Sequence, residues 1–264
     1  MPTIITLTTD FGLADPFVAI MKGVILGIAP QAKVVDVTHE VRSYDILEAA
    51  FIIESSYRYF PAGSIHVIVV DPGVGSARRP MAAAAKGHIF VAPDNGVLSY
   101  VLSGDATAPA SSAYWIKNQS LFLDAISQTF HGRDIFAPVA AHLAVGTPIE
   151  SVGPPILDFV RKGLPKPRSQ GNKLVGTALR IDKFGNIITN LKRSHLGKDF
   201  VIRVAGLSIT RFCANFSEAE PGEFFALEGS TGYIELALNQ GSAADRLNIG
   251  RGAEIEVESP YVNK

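Results

Sequence analysis

Along the first 160 residues the apolar positions alternate between two periods. Residues 4–9 are a short β-branched run, Ile-Ile-Thr-Leu-Thr-Thr, stopped by Asp10-Phe11-Gly12. Residues 15–29 then set Phe17, Ile20, Met21, Val24 and Ile25 at helical spacing. Asp15 is a candidate cap there, and Pro16 suits the first helical position. The succession repeats with a strand over 33–38, a helix over 44–60 carrying Ile46, Ala49, Ala50 and Ile53, and a strand over 65–70. That last strand is nearly all apolar, which predicts a place in the middle of a sheet. Strands over 88–92 and 113–116 and a helix over 134–145 follow. Strand and helix in alternation predict an α/β layer with a mostly parallel sheet.

The pattern changes at Gly163-Leu164-Pro165-Lys166-Pro167-Arg168-Ser169-Gln170-Gly171, a Pro/Gly/polar stretch that reads as a linker. Beyond it come short strands separated by turn residues, over 174–181, 200–204, 207–210, 224–227, 233–238 and 254–257. This predicts a smaller antiparallel β-barrel or sandwich. The expected organisation is therefore an N-terminal α/β domain over 1–163, a linker over 164–171 and a C-terminal β domain over 172–264.

Composition narrows the functional classes. Of 264 residues, 47% are hydrophobic and 19% charged, an ordinary globular balance. The 24 Lys and Arg against 25 Asp and Glu give a net charge of −1, without the basic footprint of a nucleic-acid binder. No basic amphipathic stretch favours a membrane surface, and no apolar run approaches the ~18 residues that span a bilayer. The single Cys213 forms no internal disulfide, and the start lacks the marks of a signal peptide. The expectation is a soluble, cytoplasmic protein. Its six histidines are scattered, with no metal-ligand spacing, so neither metal nor cofactor is expected.

Four segments carry candidate chemistry. Asp10 follows a strand, where open α/β sheets bind ligands, and a carboxylate there suits paired ribose hydroxyls; it also suits a plain helix-capping turn. In Asp71-Pro72-Gly73-Val74-Gly75-Ser76-Ala77-Arg78-Arg79 a strand ends at an Asp beside a Gly-rich loop with two arginines. An arginine keeps such a carboxylate ionised, though surface ion pairs in turns are common. In Phe130-His131-Gly132-Arg133-Asp134, His131 suits proton exchange near neutrality, while Asp134 or Thr129 could simply cap the next helix. In Asp182-Lys183-Phe184-Gly185-Asn186 the Asn186 amide could read an adenine edge, or the segment is an ordinary β-turn.

Taken together with Asp15-x-Phe17-Val18-x-x-Met21-Lys22-Gly23, Val35-Asp36-Val37-Thr38-His39, Ala92-Pro93-Asp94-Asn95-Gly96 and the continuation Ile187-x-Thr189-Asn190, these segments make seven ordered motifs over essentially the whole chain. The chain resembles the S-adenosylmethionine hydroxide adenosyltransferases, relatives of the enzymes that make 5′-fluoro- and 5′-chloro-deoxyadenosine. The resemblance implies hydrolysis of S-adenosyl-L-methionine to adenosine and methionine, with Asp71, Arg78 and His131 as the catalytic triad around the attacking water. The halogenating relatives carry Tyr at the positions of Asp71 and His131, so the resemblance is to a hydrolase.

By the same resemblance Asp10 grips the ribose. Asn186 and the backbone near Asn239 and Gln240 meet the adenine, Phe184 and Phe216 wall it, and Asp182 and Ser230 meet the amino-acid group. Tyr44 stands where the halogenases carry Trp, and Thr231 where they carry Arg. A homotrimer with sites at subunit interfaces is implied as well. Chemically, Asp71 and His131 are expected to orient the water and accept its proton, with Arg78 fixing Asp71. The rival readings are a halide transferase of the same fold, a metal-dependent phosphohydrolase using Asp10, Asp36, Asp71 and His131, and a non-catalytic nucleoside-binding module.

Overall fold

The β-branched run Ile4–Thr9 forms β1, and its alternation decides which side chains face which layer. The computed structural model describes residues 2–103, 112–163 and 165–258, and the chain divides into two compact units, Met1–Gly163 and Leu164–Lys264.

In the first unit, β1 is followed by α1 (Phe17–Ile28), β2 (Lys33–Thr38), α2 (Ile46–Ser56), β3 (Ile65–Val69), β4 (Pro80–Ala85), β5 (His88–Pro93), β6 (Ser112–Trp115) and α3 (Ala137–Ala144). The sheet order is β2-β1-β3-β5-β4-β6. The first four strands run parallel, and β4 pairs antiparallel with both β5 and β6. Ile5, Leu7, Val67 and Val69 pack on α1 and α3 on one face. Ile68, Val70 and Phe90 pack on α2 on the other. Because β1 and β3 are parallel with Thr9 opposite Val69, the residues that follow them, Asp10 and Asp71, emerge at the same edge of the sheet.

Several expectations change. Helix α1 starts at Phe17, with Pro16 at its cap position and no side-chain cap, so Asp15 does not serve as one. Helix α2 starts two residues later than the periodicity predicts, because Asp45 caps it by accepting from Glu48 N at 3.0 Å. Tyr44 stands outside the helix with φ 68°. The helix expected over 134–145 begins instead as a π-helical turn, Gly132–Phe136, and becomes α-helical only at Ala137. Asp134 does not cap it; its buried carboxylate accepts from Ser127 N at 2.8 Å and Arg133 Nε at 2.5 Å. Strand β4 is an addition: its alanines carry little β propensity. Lys86 and Gly87, both at positive φ, close the tight hairpin that pairs it with β5.

In the second unit, β7 (Arg168–Gln170), β8 (Lys173–Ile181), β9 (Ile187–Thr189), β10 (Val201–Val204), β11 (Leu207–Ile209), β12 (Phe224–Glu228), β13 (Ile234–Leu238), α4 (Ala243–Leu247) and β14 (Glu254–Glu258) follow in order. The sheet runs β11-β10-β14-β8-β9-β13-β12, with β7 on β8, and every ladder is antiparallel. The long β8 is irregular between Ala178 and Arg180, so it pairs β14 at one end and β9 at the other. A bridge between Phe212 and Ala226 brings the two ends of the order together, and the sheet is a nearly closed barrel around Ile202, Leu236 and Ile255. Residues 168–170, expected within the linker, are a strand, because their backbone pairs with 173–175; Leu164 lies outside the described residues.

Candidate active site

The segment after β3 turns sharply at Gly73 and Gly75 and brings Arg78 back against Asp71. Gly75 has φ +77°, and a Cβ there would collide with the carbonyl oxygen of Gln128, so only glycine fits this loop. Arg78 Nε donates to both Asp71 oxygens, at 2.9 and 2.8 Å, and its Nη2 donates to Asp71 Oδ2 as well. The same Nη2 lies 2.7 Å from His131 Nδ1. Both charged side chains are nearly buried, at 9% and 5% exposure, and the guanidinium also covers the Phe136 ring.

This geometry sets the state of His131. Arginine only donates, so Nδ1 accepts and the ring proton sits on Nε2. Burial, reinforced by the charge of Arg78, pushes the imidazole below its ordinary range. Asp71, Asp134 and a backbone hydrogen bond at Ser127 work against that shift. The ring is therefore neutral near pH 7.

Arg79 points elsewhere. It donates to Asp94 Oδ2 at 3.0 and 2.8 Å and to Asp158 Oδ1 at 2.9 Å. The structure thus brings Asp71, Arg78 and His131 together and leaves Arg79 in a separate ion-pair cluster.

Asp71 and His131 line a cavity of about 280 Å³ with Asp10, Phe11, Phe17, Tyr44 and Phe130. Asp10 Oδ2 accepts from Tyr44 N at 2.8 Å, which accounts for the left-handed backbone at Tyr44. Phe11, Phe17 and Phe130 meet edge to face, with centroids 5.2–6.0 Å apart. Sequence reasoning missed this aromatic wall, although each of its members lies within a motif. Asp36, grouped with the others in the metal reading, is held by Lys22 Nζ at 2.5 Å. Among the described residues, no three His, Cys, Asp or Glu side chains form a metal-ligand group.

The second unit holds a cavity of about 740 Å³, lined by Asp182, Phe184, Asn186, Phe216, Ser230 and Gln240 among others. Asp182 organises its loop, accepting from Phe184 N and Asn186 N at 2.8 Å and from Asn186 Nδ2 at 2.9 Å. The turn and the cavity-facing amide are thus one construction, fixed by Gly185 at φ +84°. Phe184 and Phe216 are exposed. Asn239 is not in the lining; its Nδ2 donates to Ala219 O at 2.7 Å. Glu235 also lines this cavity, and burial together with the nearby Asp182 charge raises its carboxyl. The signal for it was a lone charge inside the apolar strand Ile234–Leu238.

Comparison with known proteins agrees with both units. The SAM hydroxide adenosyltransferase N-terminal domain model matches residues 5–153 and the C-terminal domain model residues 176–256. A protein of Salinispora tropica named (R)-S-adenosyl-L-methionine hydrolase is 38% identical, over 96% of this chain and 97% of its own. The protein of that name from Thermus thermophilus is 35% identical, over 94% and 97%. A fluorinase of Nocardia brasiliensis is 30% identical, over 97% and 96%. The crystal structure of an uncharacterized conserved protein from Thermotoga maritima superposes with a TM-score of 0.89 at 34% identity, covering 97% of this chain and all of that one. With both domain models matched in order and relatives similar over nearly the whole length, the chain belongs to the SAM hydroxide adenosyltransferase family.

Proposed function

We propose that this protein hydrolyses S-adenosyl-L-methionine to adenosine and L-methionine, by attack of water at C5′ of the ribose. The observation that carries the reading is Arg78, which ties Asp71 to His131 at the wall of the cavity where Asp10 stands. A sulfonium has a good neutral leaving group, so sulfur needs no acid. What the reaction needs is one water behind C5′, aligned and relieved of a proton.

In this mechanism the water oxygen forms a bond to C5′ while the C5′–S pair moves onto sulfur and methionine departs. The positive charge passes from sulfur to the attacking oxygen, which becomes strongly acidic, and its proton goes to Asp71. Arg78 holds both Asp71 oxygens, twice at Oδ2 but once at Oδ1, so Oδ1 keeps the lone pair that takes the proton. His131 has its Nδ1 filled by Arg78 and shares its one ring proton with the Ser127 backbone, so its part is to orient the water rather than to take the proton. This revises the role expected for it from sequence. Asp10 holds the ribose hydroxyls. The residues of the larger cavity, Asp182, Phe184, Asn186, Phe216, Ser230 and Gln240, receive the adenine and amino-acid parts, with Asn239 buttressing its own loop. The assembly is a homotrimer, and light scattering of the purified protein tests that at three chains per particle.

The test is turnover in ¹⁸O-water, with mass spectrometry of the nucleoside. Heavy oxygen in the 5′-hydroxyl of adenosine is the expected result. Unlabelled adenosine, or substrate left intact over hours, overturns the proposal. The fluorinase relatives favour a second reading, and a 5′-halogenated product on adding chloride or fluoride would establish it.

A further inference from the structure

Beside the proposed site, and outside the Asp71–Arg78–His131 cluster, two polar side chains are buried together: Thr9 at the end of β1 and His39 just after β2. Thr9 Oγ1 lies 2.9 Å from His39 Nδ1, and His39 Nε2 lies 3.0 Å from Asp36 Oδ1. A carboxylate only accepts, so the nitrogen facing Asp36 carries a proton. In the neutral ring Nδ1 is then an acceptor, and the Thr9 hydroxyl donates to it. The same hydroxyl accepts from Phe11 N at 3.3 Å, while the backbone oxygen of His39 accepts from Gly12 N at 2.8 Å. Lys22 closes the far end on Asp36.

His39 therefore holds the loop on both sides of Asp10. Its ring fixes residue 9, its carbonyl fixes residue 12, and the Thr9 hydroxyl pins residue 11. A valine at position 9 would fill nearly the same space without any buried hydroxyl to satisfy, so packing alone does not call for this pair. We propose that His39 is a positioning residue of the active site, hydrogen-bonded to Thr9 and in ion-pair contact with Asp36, a relay that holds the Asp10 carboxylate ready for the two hydroxyls of a ribose. The assignment rests on Asp10 being the ribose-gripping group of the proposed function.

The test measures adenosine binding by calorimetry, together with KM and kcat for S-adenosylmethionine and the melting temperature of each variant. Thr9→Val should weaken adenosine binding and raise KM about tenfold, with a smaller effect on kcat. Thr9→Ser, which keeps the hydroxyl but loses a buried methyl, should restore binding to within about threefold. A purely structural Thr9 gives the opposite order, with serine worse than valine. His39→Asn, whose amide oxygen can stand near Nδ1, should bind better than His39→Ala, which keeps the comparison open should Thr9→Val not fold. Wild-type affinity in Thr9→Val, or serine worse than valine, overturns the relay while leaving the proposed function standing. Wild-type affinity in Asp10→Ala removes the ribose assignment and the relay with it.

Discussion

Arg78 is the residue on which the others depend, because one guanidinium satisfies a buried carboxylate and sets the tautomer of an imidazole. In the proposed mechanism its partners act on the water, so they lend themselves to substitution. Asp71→Ala and His131→Ala should each lower kcat by ~10²–10⁴-fold while adenosine affinity changes only a few-fold, measured by initial rates at saturating substrate and by calorimetry. Wild-type turnover in both variants would remove the triad assignment. The motif around Asp71 was readable as chemistry, but the choice of Arg78 over Arg79 came from the family resemblance alone. Neighbouring side chains in extended backbone point to opposite sides, and spacing along the chain does not say which side holds the partner. Here Arg79, just before β4, faces Asp94 and Asp158. Glu235 was equally hidden, since its character comes from burial in the folded barrel and from Asp182, fifty-three positions away in sequence.

At the scale of elements, the loop from Asp71 to Arg78 owes its path to Gly75. Gly75→Ala adds a Cβ both at positive φ and against the Gln128 carbonyl, so it should destabilise the first unit by about 2 kcal/mol or more and reduce turnover as Arg78 shifts. Thermal unfolding and rate measurements on the one variant check both effects. Long periodic elements were legible from sequence, as α1, α2 and the strongly apolar β3 show. What was lost lay where tertiary structure overrides local preference. Strand β4 is an alanine run held by partners on both sides, β7 is polar but paired, and the start of the helix after His131 is wound by the fit of its neighbours.

At the scale of the molecule, each unit has its own core, and the first contains a buried histidine pair that the mechanism does not use. His66 Nε2 and His88 Nδ1 are 3.3 Å apart among Tyr57, Phe60 and Phe90, with Thr6 Oγ1 at 2.8 Å from His66 Nδ1. Burial, aided by His88, lowers His66 to about 3, and burial lowers His88 as well. The unfolded chain keeps these rings near their ordinary value, so it binds more protons than the folded chain once the pH falls below about 6.5. Stability should therefore be full above that pH and decline from there toward about 3, by up to about 1.4 kcal/mol per pH unit for His66, with His88 acting in the same direction. Urea midpoints at pH 7 and pH 5 measure the fall, and His66→Phe should make it shallower. An unchanged midpoint would mean that the pair is solvated. No helix among the described residues is long and apolar enough to cross a membrane.

The π-helical turn Gly132–Phe136 has a consequence for how this chain can change over generations. Such a turn carries one residue more than an α-helix of equal rise, and its downstream side, Phe136 to Leu143, is locked into the core. Five residues at the π winding turn and rise about as much as one fewer at the α winding, so deleting a single codon there would smooth the helix and leave His131 close to its present orientation toward Arg78. Loss of one residue can therefore be absorbed in this short stretch, whereas in the regular helix beyond it the same loss would turn every earlier side chain away from its partners.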